Sequence, residues 1–137
     1  MTDAITSFNG PYRFLSNFWP CNVMWQDVNF TSVEAAYQAA KSPWKRDWHW
    51  IAAMPPGDAK RAGRQVQMRS DWDQIKLDVM RDLISQKFAE PSLRRKLMAT
   101  GEAELIEGNY WGDTYWGVCR GVGQNHLGKL LMAERSK

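Results

Sequence analysis

Cysteine and histidine are scarce in this 137-residue chain, with two of each. Cys21 and Cys119 stand far apart without a C-x-x-C spacing, and His49 and His126 have no ligand pattern around them. A disulfide framework and a structural zinc site are therefore not expected, and the site residues call for no metal and no cofactor. No apolar run approaches the length of a membrane span, and no basic leader followed by an apolar stretch opens the chain. The expectation is a protein without a membrane partner, in the reducing cytoplasm. An excess of charge of one sign is also missing. The net charge of +3 favours an anionic ligand, a phosphate or a polynucleotide, without demanding one. The glycines at 121 and 123 follow neither the G-x-G-x-x-G nor the P-loop spacing, so no nucleotide fingerprint is present. Repeats, low-complexity tracts and linkers are absent too, and the length suits one domain over 1–137 with a proper core.

What the chain does have is tryptophan, eight in all. A small core cannot easily place every indole with its N–H partnered, so part of this set is expected to form stacking walls for a flat ligand such as a nucleobase. The rest is core mass and semi-exposed surface.

The stretch 30–41, FTSVEAAYQAAK, organises the remainder. On a helix, Glu34, Tyr37, Gln38 and Lys41 fall on one narrow line, while Val33, Ala35, Ala36, Ala39 and Ala40 are small and apolar. Thr31 or Ser32 caps its start. A carboxylate, a phenol, an amide and an ammonium held in line are either a site or a solvated stripe. Upstream, alternation at Cys21, Val23 and Trp25, then at Val28 and Phe30, predicts a short hairpin turning at Gln26-Asp27. Before it, the aromatic run 12–20 follows neither period and reads as a pocket wall or a core plug. In the first case Arg13 meets a phosphate and Asn17 a polar ligand edge.

Downstream, 42–50 interleaves Trp with Lys45 and Arg46, a weak nucleic-acid cue. A helix opens near Pro56, with Lys60 and Arg64 one turn apart and Gly63 allowing close approach between them. The two cations clamp phosphate, hold the Glu34 carboxylate, or merely face water. The pattern Ser70-x-x-Asp73 predicts the start of a helix reaching Phe88. Trp72, Ile75, Val79 and Leu83 on one stripe, with Leu77, Met80, Ile84 and Phe88 on another, predict burial on two sides, with Trp72 at a pocket end. A short basic helix over 91–99, a strand at Leu105-Ile106 and a last helix capped by Asn125 complete the elements. Within 107–117, glycines and rings surround Asp113, which is either a turn-former satisfied by backbone N–H groups or, as favoured here, a catalytic group.

Assembled, these residues resemble the NADAR family, also called YbiA-like. The resemblance rests on Tyr12-Arg13-Phe14-Leu15-Ser16-Asn17-Phe18, Phe30-Thr31-Ser32-Val33-Glu34, Tyr37-Gln38-Ala39-Ala40-Lys41, Ala59-Lys60, Gly63-Arg64, Arg69-Ser70-Asp71-Trp72, Lys87-Phe88, Leu105-Ile106-Glu107-Gly108-Asn109, Trp111-Gly112-Asp113, Trp116-Gly117 and the run from Asn125 to Met132. It implies an α+β, mostly helical, compact single domain with a small N-terminal hairpin. It further implies an N-glycosidase acting on phosphoribosylamino-pyrimidine intermediates of riboflavin synthesis, or on ADP-ribosyl-guanine in nucleic acid. The family's proposed catalytic set falls on Glu34, Trp72 and Asp113. Expected substrate contacts are Arg13, Phe14, Ser16, Asn17, Phe18, Tyr37, Gln38, Lys41, Lys60, Arg64, Asn109, Trp111 and Trp116. Ala35 departs from the His that many members carry after the glutamate. The alternative class is a non-catalytic module binding ADP-ribose or a nucleotide, and a third is an RNA or DNA binder using 44–64.

Overall fold

The structure, a computed structural model, describes residues 3–137. The first two residues of the expected 1–137 domain lie outside the described residues. Helices dominate and the sheets are small, as expected. Two compact units are distinguished, one of Asn17–Lys87 and one of the flanking residues, up to Ser16 and from Phe88 onward.

The central unit begins with the expected hairpin. Strand β1 (Pro20–Trp25) pairs antiparallel with β2 (Val28–Ser32), with Val23 opposite Phe30 and Trp25 opposite Val28. Alternation turns Val23, Val28 and Phe30 into the core. Gln26 and Asp27 both take positive φ, 49° and 64°, which is the geometry of a primed two-residue turn. Neither residue type announces that conformation, because glycine and asparagine adopt it with less strain.

Ser32 ends the strand and caps α1 (Val33–Ala40): its Oγ accepts from the Ala35 N–H at 3.0 Å. Phe30 and Thr31 thus belong to the hairpin, and of the two expected caps it is Ser32 that starts the helix. Every residue of α1 is buried, because the hairpin, α2 (Lys45–Ile51), α3 (Pro56–Ala62) and α4 (Trp72–Lys87) all pack on it. Ala35, Ala36, Ala39 and Ala40 are fully enclosed, and larger side chains would hold those neighbours apart.

Helix α4 presents the two expected stripes, with Val79, Met80, Leu83 and Ile84 buried against α1 and β1. Its start differs from the expected one. The Asp71 carbonyl accepts from the N–H groups of Gln74 and Ile75, so Asp71 rather than Ser70 occupies the cap position. Arg69 takes the Asp71 carboxylate, Nε to Oδ1 at 2.6 Å, and holds its carboxyl below the usual range. Lys87, in the last turn, is buried near Cys21. Burial pushes its ammonium down to about 7, opposed by the Cys21 charge, while burial pushes the Cys21 thiol up.

The second unit carries a 3-10 helix (Gly10–Leu15) that buries Phe14 and Leu15. Helix α5 (Pro91–Met98) is capped by the Glu90 carboxylate, which accepts from Ser92 N at 3.1 Å and Leu93 N at 3.0 Å. The strand expected at Leu105-Ile106 shrinks to a parallel bridge between Leu105 and Ile5. The two-residue ladder lies further on, β3 (Gly108–Asn109) parallel to β4 (Val118–Cys119). Asn125 precedes α6 (His126–Arg135) but does not cap it with its side chain. Its backbone is left-handed (φ 54°), and its amide spans instead to the Leu105 carbonyl (2.9 Å) and the Glu107 N–H (2.9 Å). Gly128 lies under this clamp, where a Cβ would come within 2.0 Å of the Leu105 oxygen.

Two glycines in helices should therefore respond oppositely. Gly128→Ala should destabilise by about 1–3 kcal/mol, since the obstruction is backbone. Gly57→Ala, with open space around it, should stabilise by up to about 1 kcal/mol; both are read as melting temperatures.

Lys87 gives stability a pH slope. Between about 7 and 9 the unfolded chain, with its lysine near 10.5, binds more protons than the folded one, so stability rises with pH. Above the ordinary thiol value of 9.0 the raised Cys21 acts in the opposite sense. Lys87→Met should raise stability at pH 7 by on the order of 1–4 kcal/mol and flatten the rise, as followed by denaturant melts across that range.

Candidate active site

Burial of α1 removes the solvated-stripe reading. Glu34 is 9% exposed and Gln38 5%, one turn apart on a helix enclosed on all sides. The Gln38 amide Nε2 donates to Glu34 Oε2 at 2.5 Å. The Glu34 backbone N–H donates to the Asn17 carbonyl at 3.0 Å, which ties the end of the aromatic run to the first turn of α1. Asn17 Nδ2 faces the Met80 sulfur at 3.7 Å. Two acceptors, Gln38 Oε1 and Asn17 Oδ1, are buried with no hydrogen-bond partner among the described residues.

One turn on, Tyr37 packs against Trp72, ring centroids 5.1 Å apart and tilted by 56°. Trp72 is only 3% exposed, so its indole offers little face for stacking. The half-buried Lys41 sits with Nζ 5.5 Å from the Tyr37 ring centre. Burial lowers the pKa of its ammonium; Glu34 pulls it up, and Arg64, Lys76 and Lys60 push it down. The expected cations 41, 60 and 64 are thus electrostatic neighbours, joined by Lys76, which the sequence reading missed. Its signal was its spacing, one helical turn after Trp72 on the same face. Such a cluster beside one carboxylate is suited to an anion.

The second unit holds the other expected residues. Asp113 is half-buried, and its Oδ1 accepts from the N–H groups of Tyr115 (3.1 Å) and Trp116 (2.9 Å). It is therefore a turn-former, with Oδ2 outside that pair of bonds. Asn109 closes the same loop: its Oδ1 accepts from Asp113 N at 3.1 Å, and its Nδ2 donates to the Asp113 carbonyl at 2.9 Å and to Glu107 Oε2 at 3.1 Å. Both ends of that amide are engaged in shaping the loop. Trp111 is exposed, and Trp116 is half-buried, edge-on to Tyr115. Arg13 is exposed on the 3-10 helix, Ser16 and Phe18 are half-buried, and the buried Phe14 has the Lys96 ammonium over its ring at 5.7 Å. No described helix is long and apolar enough to cross a membrane.

A buried carboxylate on a helix of small residues, beside clustered cations and a walling indole, within a mostly helical α+β fold, defines the class. The NADAR domain model matches residues 6–137, and the chain belongs to that family. It is 38% identical to an N-glycosidase of Nostoc punctiforme over 93% of this chain and 86% of that protein. It is 36% identical to a riboflavin biosynthesis protein of Vibrio vulnificus, over 92% of this chain but 35% of that longer protein. The NMR structure of the Escherichia coli protein YbiA superposes with a TM-score of 0.84 at 32% identity, covering 99% of this chain and 85% of that one.

The two roles of Asp113 can be separated. Asp113→Ala should cost about 1–2 kcal/mol by leaving two backbone N–H groups without their acceptor. Asp113→Asn keeps an oxygen there and should melt close to the wild type, so any loss of activity in it is chemical.

Proposed function

We propose that this protein is an N-glycosidase that hydrolyses the C–N bond joining a phosphorylated ribose to an amine or base. The observation that carries this reading is the Glu34 carboxylate, buried and held by Gln38 next to a cation cluster, in a chain aligned over most of its length with N-glycosidases. Cleaving C1′–N leaves positive charge on the sugar and expels the nitrogen with its electron pair. Water then adds at C1′ and loses one proton, which a base takes and the departing nitrogen finally receives, while the other stays on the new hydroxyl. Glu34 takes the proton of the attacking water or steadies the sugar cation. Asp113 fixes the ribose hydroxyls or shares the acid–base work, and Trp72 walls off solvent. Arg13, Lys41, Lys60 and Arg64 bind phosphate, while Asn17, with a buried oxygen still lacking a donor, receives a hydroxyl or amine of the substrate.

The substrate class is a small phosphoribosyl compound, either a phosphoribosylamino-pyrimidine intermediate of riboflavin synthesis or ADP-ribosyl-guanine. The exposed run 44–50 adds little for a polynucleotide, since Arg46 already covers Trp44 at 5.7 Å. The two units work as one domain, a reading supported by the family match running through both. The free thiols of Cys21 and Cys119 suit the reducing cytoplasm.

Glu34→Gln should keep the fold and lower turnover by about 10²–10⁴. The measurement is chromatography of released base and sugar phosphate with both candidate substrates. Normal turnover by a folded Glu34→Gln variant removes Glu34 from the mechanism. Tight binding of ADP-ribose with no base released by the wild type makes the protein a binding module instead.

A further inference from the structure

Gly63 closes α3 with φ −60° and ψ −21°, an ordinary helical conformation open to any residue. Its lack of a side chain is therefore not required by the backbone. It is required by Gln38: a Cβ on Gly63 would come 1.9 Å from Gln38 Oε1 and 2.7 Å from its Cδ. The amide lies directly on the Gly63 backbone. Its oxygen has no hydrogen-bond partner and rests in weak contact with the glycine Cα, while its nitrogen reaches Glu34. Turned the other way, the amide would set an oxygen against a carboxylate oxygen at 2.5 Å and its NH2 against the Gly63 backbone, so both neighbours favour the same orientation.

We propose that Gln38 is a positioning residue for the Glu34 carboxylate, and that Gly63 is the backbone platform that locks its amide in the donating orientation. The proposal rests on the reading of Glu34 as the carboxylate that acts on water or on the sugar cation. Gln38 aims the Glu34 carboxylate through Oε2, so it acts through Glu34 rather than on substrate. The charge coupled to Glu34 is Lys41 on α1, which itself feels Lys60 on α3, Arg64 just after it and Lys76 on α4. None of them is altered in the variants below.

In Gln38→Leu, kcat should fall by about 10–100-fold with KM within about threefold, and the acid limb of the pH–rate profile should move to higher pH, since the carboxylate has lost its donor. Gly63→Ala should show the same kinetic change together with a lower melting temperature. In the double variant Gly63→Ala, Gln38→Ala the clash is relieved, so the melting temperature should recover towards that of Gln38→Ala while kcat stays low. That split separates positioning from mere packing. An unchanged kcat and acid limb in Gln38→Leu would overturn the proposal, as would full kcat in Gly63→Ala. If the wild type releases no base from either substrate, the N-glycosidase reading fails by itself. The lock is then read directly by carbon NMR titration of Glu34, where a higher midpoint in Gln38→Leu than in wild type supports it and an equal midpoint overturns it.

Discussion

Placing a carboxylate inside a packed helix costs several kilocalories per mole unless its charge is answered locally. The central unit is arranged around that constraint. Helix α1 must be narrow enough for a hairpin and three helices to close over it, which its alanines provide, and it must carry a polar line through that enclosure. Gln38 answers Glu34 with a short hydrogen bond, and Lys41 answers it with charge. The same enclosure that makes Glu34 expensive keeps competing water away and leaves its remaining interactions strong.

The loop around Asp113 meets a related problem by different means. There the carboxylate is only half-buried, and backbone N–H groups, not a helix neighbour, hold one of its oxygens. Asn109 braces the same loop from both ends of its amide. In each case one carboxylate oxygen is engaged by a donor close by in the chain, a side-chain amide for Glu34 and backbone N–H groups for Asp113. Lys87 is a separate case: a cation buried with a thiol nearby, where desolvation and not partnership dominates its proton affinity.

Much of the fold was legible because hydrophobic period reports burial. The hairpin, α1, α4 and α6 all show it, and Gly63 was recognisable as a point of close approach. The failures have particular causes. Ser70 looked like a cap, but Arg69 and Asp71 pair and the helix starts after them. Asn125 looked like a cap and is instead a clamp on Leu105 and Glu107, partners nearly twenty positions away. Within the site, the polar line and the cations were visible as residue types, whereas Lys76 and the engagement of Asn109 were not.

The sequence by itself determined which side chains share a helix face, the family to which the chain belongs and hence the chemistry to look for, since spacing along a helix and residue type are local properties. Only the tertiary structure decided that the line on α1 is enclosed rather than wet, that Gln38 rests on Gly63, and that Trp72 is buried against Tyr37. Burial and proximity arise from segments distant in the chain, and no local pattern encodes which backbone will lie against which amide.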